Sequence, residues 1–193
     1  MSYKTYTTEA LVCGSVVSNT SDKSYLLFSK EAGMVWASAR SVREEKSKQR
    51  YAMQDFSHIR VSLIKGKSGW RIGSAEALGN AFMQVETRRQ RGLINFVVAQ
   101  LRRYVHGEIP LERVYDDAFL LVTESAQFEA QSILAQQLFL VRLLSELGYI
   151  APTTSWVAIV DANSMQTAVS LYSADMEKDI AKAIKAGIEA SHL

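Results

Sequence analysis

The hydrophobic period of this chain changes once, near Gly79, and that change restricts it to a β unit followed by a helical one. Before Gly79 the apolar residues fall in short β-branched or aromatic runs: Thr8 to Val17, Tyr25 to Phe28, Met34 to Ala39, Phe56 to Ile64 and Gly69 to Ala75. Runs of this kind, punctuated by polar turns, are strand signals. The separators Asn19-Thr20-Ser21-Asp22, Glu31-Ala32-Gly33 and Lys65-Gly66-Lys67-Ser68-Gly69 hold residues that tolerate tight or left-handed backbone, so they read as hairpin connections. Five short strands in about 75 residues, with a longer connection between the third and fourth, match the Greek-key barrel called the OB-fold. A small SH3-like barrel fits the same pattern.

After Gly79 the spacing is helical. Leu93, Ile94, Val97, Val98, Leu101, Tyr104 and Val105 share one face, with Arg91, Asn95, Arg102 and Arg103 opposite, and Gly107 is the predicted stop. Pro110 suits the first turn of a second helix reaching about Val122. Phe128 to Leu147 predicts a third, centrally buried helix stopped by Gly148. Residues 153–172 read equally as strand or helix, whereas Met176, Ile180, Ala183, Ile184, Gly187 and Ile188 form the stripe of a terminal helix. The expected class is α+β: a five-stranded OB-fold domain over residues 1–78, then a mainly α-helical domain over residues 79–193.

A net charge of +2 conceals an asymmetry. Residues 1–110 hold 17 Lys or Arg against 9 Asp or Glu, a net +8, while residues 111–193 hold 5 against 11, a net −6. The first part is therefore expected to face a polyanion and the second something else. No stretch approaches the roughly 20 apolar residues of a membrane span, and Cys13-Gly14-Ser15 interrupts the first apolar run, so no signal segment is read. The expected location is the cytoplasm, at the nucleoid if the polyanion is DNA, with no membrane partner.

Catalytic constellations are missing from the sequence. One cysteine, Cys13, can form neither an internal disulfide nor a cysteine-based zinc site and reads as packing. His58, His106 and His192 lie far apart without metal-ligand spacing. Gly66-Lys67-Ser68 resembles the end of a phosphate-binding loop, but position 61 is Val where that loop needs Gly, and the segment joins strands instead of opening a helix. The acidic pairs Glu44-Glu45 and Asp116-Asp117 diverge by about 100 degrees on a helix and are expected in solvent. No enzyme, metal or cofactor is expected, and an enzyme of undetected type would have to show itself in an activity screen.

The informative segment is Arg40 to Arg50, where Arg40, Arg43, Lys46, Lys48 and Arg50 place five cations in eleven residues between two strands. Lys23, Lys65, Lys67 and Arg71 recur on the other expected barrel loops, and together these cations make a candidate phosphate-tracking surface. The competing reading of the segment is a solvated, disordered loop. Tyr25, Phe28, Trp36, Tyr51, Phe56 and Trp70 are interleaved with the cations; most must fill the barrel, and Tyr51 and Trp70, nearest the charged loops, are the candidate base-stacking residues.

At this point the residues resemble the RecO family of bacterial recombination mediators. Thr8-Glu9-Ala10-Leu11-Val12, Ser24 to Gly33 and Met34 to Arg40 resemble that family's first three strands and basic connection, and Met53-Gln54-Asp55-Phe56 stands where its Leu-Gln-Pro-Phe sits. Phe139 to Tyr149, closing in Leu-Gly-Tyr, is similar to its central helix. The chain departs from the commonest pattern in lacking the four zinc cysteines and in being shorter, which leaves residues 153–172 without a template. The resemblance implies binding of single- and double-stranded DNA, strand annealing and recombinase loading, with RecR and the C-terminal tail of single-strand-binding protein as partners. An acidic, apolar-ended tail needs a hydrophobic pocket with a cation, which points to Arg142 beside Leu143; the competing reading pairs Arg142 with Glu146 on the same helix. The alternative function is an OB-fold adaptor that binds RNA or protein.

Overall fold

The structure, a computed structural model, describes residues 5–44, 47, 49–67 and 69–192. These fall into two compact units, one of residues 1–84 with 105–115 and the other of residues 85–104 with 116–193.

The first unit is a closed barrel of β1 (Thr5–Val17), β2 (Lys23–Ser29), β3 (Gly33–Ala39), β4 (Ser57–Gly66) and β5 (Gly69–Asn80) in the order β1-β2-β3-β5-β4. All neighbours are antiparallel except β3 and β5, which close the barrel in parallel through Ala37 opposite Trp70 and Ser38 opposite Arg71. That order is the OB-fold, and it resolves the choice between barrels left open by the sequence pattern. Long β1 serves both edges: Thr5 to Leu11 pairs with β4 and Ala10 to Val17 with β2, with a register shift between Val12 and Gly14 where the strand bends.

Alternation fills the barrel. Ala10, Val12, Tyr25, Leu27, Val35, Ala37, Ile59, Val61 and Leu63 point inward and are all nearly inaccessible. The β3–β4 connection adds Val42, Ala52 and Met53 to the same core, the last two from or just after the one-turn helix α1 (Gln49–Ala52). Apolar side chains of this connection thus plug one barrel mouth, while its described polar ones are exposed or only partly buried. After β5 comes the short α2 (Ala81–Gln84), whose Phe82 stacks on Phe56 at 4.5 Å.

Residues 105–115 return to the barrel, which the sequence did not foretell. Met34 N donates to Gly107 O at 3.1 Å, and Phe28, on the outer barrel face, meets Tyr115 with ring centroids 5.6 Å apart. Gly33 sits at φ +68°, and a Cβ there would collide with the Ile109 backbone, so only glycine fits.

The second unit is helical: α3 (Arg88–Tyr104), most of α4 (Glu112–Thr123), α5 (Ser132–Glu146), α6 (Val157–Asp161), α7 (Met165–Leu171) and α8 (Glu177–Ser191). The predicted stripe of α3 is buried from Leu93 to Tyr104. α5 starts later than predicted because Ser125–Phe128 forms a separate 3-10 turn. It ends in a Schellman cap, with Gly148 at φ +77°, Gly148 N donating to Ser145 O and Tyr149 N to Leu144 O, both at 2.9 Å. Residues 153–172 resolve into α6 and α7, the latter capped by Ser164, whose hydroxyl accepts from Thr167 N at 3.2 Å. On α8, Gly187 lets the helix approach Ile150 and Leu144, since a Cβ there would lie 2.6 Å from Ile150 Cγ2.

Candidate nucleic-acid interface

The plugged barrel mouth carries an open cavity of about 710 Å³. β1 and β2 supply Ser15, Lys23 and Tyr25 to its wall, and the β3–β4 connection supplies Arg43, Arg50 and Tyr51. Tyr25 is buried to 2% exposure and forms the floor, whereas Tyr51 is 70% exposed at the rim. Lys23 Nζ lies 3.2 Å from Ser15 Oγ and 5.5 Å from the centroid of the Tyr25 ring. Among the described residues Asp55 is the one carboxylate of the lining; burial first, and then this carboxylate, push the Tyr25 phenol above its ordinary range.

The start of the basic connection is held in place. Asn19 Oδ1 accepts from Ser21 N and Asp22 N at 3.0 and 2.8 Å, which builds the β1–β2 turn. Asp22 Oδ1 then accepts from Ser41 N at 2.8 Å, Arg43 N donates to Ser21 O at 3.1 Å, and the Arg43 guanidinium donates to Asn19 O at 3.0 Å. The bond from Ser41, followed by that from Asn19, holds the Asp22 carboxyl below its ordinary value of 3.8. Ordered hydrogen bonds therefore replace the disordered-loop reading for residues 40–44. Lys46 and Lys48, with Glu45 and Ser68, lie outside the described residues.

Other predicted residues sit elsewhere on the barrel. Arg40 and Arg71 are exposed at the β3 end and on β5, and Lys67 is exposed in the β4–β5 turn. Lys65 and Trp70 line a second cavity of about 530 Å³ with Tyr6 and Glu108. There Lys65 is ion-paired to Glu108 and lies 4.9 Å over the Trp70 ring, while Trp70 packs edge-on to Tyr6 at 5.6 Å. The bond from Lys65 first, and then the nearby Trp70 indole, hold Glu108 below its ordinary range. Of the two candidate stacking residues, Tyr51 presents a free face and Trp70 is half-buried in these contacts.

One of the interleaved aromatics beyond the two stacking candidates also stands outside. Trp36 is 50% exposed on β3, between inward-facing Val35 and Ala37. Strict alternation in Val35-Trp36-Ala37-Ser38-Ala39 was the signal that places it there.

In the helical unit, Arg142 and Leu143 are interior, at 5% and 1% exposure. The Arg142 guanidinium grips Asp117 of α4 and donates to Ile159 O and Val160 O at 2.6 and 3.0 Å. Its carboxylate partner is thus Asp117, not Glu146, and Asp117, read as solvated with Asp116, is only 4% exposed. Among the described residues no three His, Cys, Asp or Glu side chains gather as a metal site, and no helix is long and apolar enough to cross a membrane.

Strand order and the cationic, aromatic-rimmed mouth define the class: an OB-fold barrel with an α-helical unit. No protein-family profile matches the chain. It is similar to the DNA repair protein RecO of Dehalococcoides mccartyi, with 23% identity over 144 residues, which cover 75% of this chain and 56% of that protein. The chain therefore spans little more than half the length of this curated relative, and the similarity supports the resemblance read from the residues.

Proposed function

We propose that the chain is a non-enzymatic mediator of DNA repair and recombination that holds single-stranded DNA at the plugged barrel mouth. The observation that carries this reading is the cavity lined by Lys23, Arg43 and Arg50 with Tyr51 exposed at its rim. Cations beside a free aromatic face suit a strand whose phosphates need countercharge and whose unstacked bases need a platform. The lining cations answer phosphates, which carry no sequence information, so little sequence preference is expected. The RecO similarity supports the repair context, and we extend the proposed role from it to strand annealing, duplex binding, recombinase loading, a place at the nucleoid, and RecR and the single-strand-binding protein tail as partners. Arg142 and Leu143, being interior, are not offered as the tail's contact surface.

Fluorescence titration of the full chain with single-stranded DNA, duplex DNA and RNA oligomers tests the reading. It expects single-stranded DNA affinity that falls steeply with salt. Flat salt dependence, or binding confined to RNA, would favour the adaptor alternative.

A further inference from the structure

Five of the 17 cations counted before residue 111 are not on the barrel at all. Arg88, Arg89, Arg91, Arg102 and Arg103 all belong to α3, in the helical unit, and the 17 residues of that helix include no Asp or Glu. The buried stripe runs from Gln90 to Tyr104, and Arg88, Arg89, Arg91, Gly92, Asn95, Ala99, Arg102 and Arg103 are exposed. At 100 degrees per residue these eight span about 160 degrees of the helix surface. The face has a pattern: arginines at both ends, small uncharged Gly92, Asn95 and Ala99 between them. Arg88 and Arg102 are fourteen positions apart, which on an α-helix is about 21 Å. Among the described residues no carboxylate forms an ion pair with Arg88, Arg89 or Arg102. Arg91 is steered by a 3.1 Å bond to Val85 O, and Arg103 lies 5.1 Å over the Tyr104 ring.

We propose that this face of α3 is a second nucleic-acid site, distinct from the barrel mouth, and that its ligand is duplex DNA. An acidic peptide with an apolar end fits poorly, because the exposed side chains of the face are arginine, glycine, asparagine and alanine, none both large and apolar enough to bury that end. A single strand fits poorly as well, because no fully exposed aromatic side chain lies on the face to stack a base. A B-form major groove, about 12 Å wide, admits an α-helix of about 10–12 Å diameter, and arginines at both ends then reach the phosphates flanking the groove. The small central side chains leave room for the helix to seat. There the Asn95 amide can meet a base edge, and Ala99, one turn on, can set its methyl against that of a thymine. The deep, narrow major groove of an RNA duplex does not admit such a helix, which makes the inference selective.

The choice of ligand rests on the DNA-binding reading, but the test separates the two sites. Full-length chain carrying Arg88→Gln, Arg91→Gln, Arg102→Gln and Arg103→Gln is titrated with a duplex DNA, a duplex RNA and a single-stranded oligomer across a salt series. The expected result is at least a tenfold loss of duplex DNA affinity and a salt slope shallower by roughly three to four, at about 0.9 per phosphate contact, with single-strand affinity within twofold of the parent. A second variant, Ala99→Glu, puts one negative charge in the middle of the face and should weaken duplex DNA binding about fivefold without touching the buried stripe, since it sets a carboxylate among the phosphates. It decides the matter if the quadruple variant does not fold. Unchanged duplex affinity, equal loss for duplex and single strand, or equal parent affinity for RNA and DNA duplexes overturns the proposal. If the parent binds duplex through α3 but no single strand at all, the barrel-mouth reading fails and this one stands.

Discussion

Arg142 of α5 meets Asp117 of α4 through two bonds, Nε to Oδ2 at 2.7 Å and Nη2 to Oδ1 at 3.2 Å, with both side chains about 95% removed from solvent. The same guanidinium also donates to two carbonyls in the last turn of the short α6. One side chain therefore joins three helices.

Arg142→Ala should destabilise the helical unit by about 3–5 kcal/mol, because it takes a two-bond cationic partner from a buried carboxylate and a donor from two α6 carbonyls. The double change Arg142→Met with Asp117→Leu should recover much of that loss, since a well-packed apolar pair avoids the desolvation cost of two charges. Urea denaturation of the parent and both variants measures this. An Arg142→Ala protein as stable as the parent would contradict the interior role.

At the barrel mouth, Lys23→Gln, Arg43→Gln and Arg50→Gln together should lower single-stranded DNA affinity at least tenfold and flatten its salt slope by about two, at roughly 0.7 per phosphate. The melting temperature should move little, since Arg43 and Arg50 are exposed and Lys23 is only partly buried. Anisotropy titrations beside thermal melts check both halves.

Tyr51→Ala and Trp70→Ala should behave oppositely. Loss of the exposed Tyr51 ring should cost about 1–3 kcal/mol of single-strand affinity with little change in stability. Loss of Trp70 removes the Tyr6 and Lys65 contacts and should show mainly as reduced stability. If Tyr51→Ala binds as the parent does, stacking at the rim is excluded.

The Asp22 carboxyl is held below its ordinary value of 3.8, so its anchoring of Ser41 is fully present above that value and is lost as pH falls through the lower folded-state value. In an NMR titration the Ser41 amide should shift together with the Asp22 carboxyl, both below pH 3.8. A Ser41 amide that titrates higher would mean another group holds the connection.

The elements that declare themselves locally were legible in the sequence. The Asn19-to-Asp22 turn, the α3 stripe and the Gly148 stop each depend on residues within one or two turns of one another. α6 and α7, five and seven residues long, are too short for a period to show and left residues 153–172 ambiguous. The Asp117 partner of Arg142 was not legible because it is 25 residues away, and helix spacing points only to neighbours such as Glu146, the competing reading. The basic connection was found by composition, but whether its first residues are loose or fixed depends on Asp22, which lies on another hairpin. The charge imbalance was real in total and misassigned in part, because five of its arginines belong to α3.

The return of residues 105–115 to the barrel sets a timetable for synthesis. By the time Asn80 is made all five strands exist, yet Gly33 still awaits Ile109 and Phe28 still awaits Tyr115. At about 5–20 residues per second, the ribosome needs several more seconds to deliver them, and in that interval it also makes the whole of α3. The nascent barrel spends that time with part of its outer apolar face uncovered, so a chain stalled or cut between residues 84 and 105 should be the form most prone to aggregate or to be captured by chaperones.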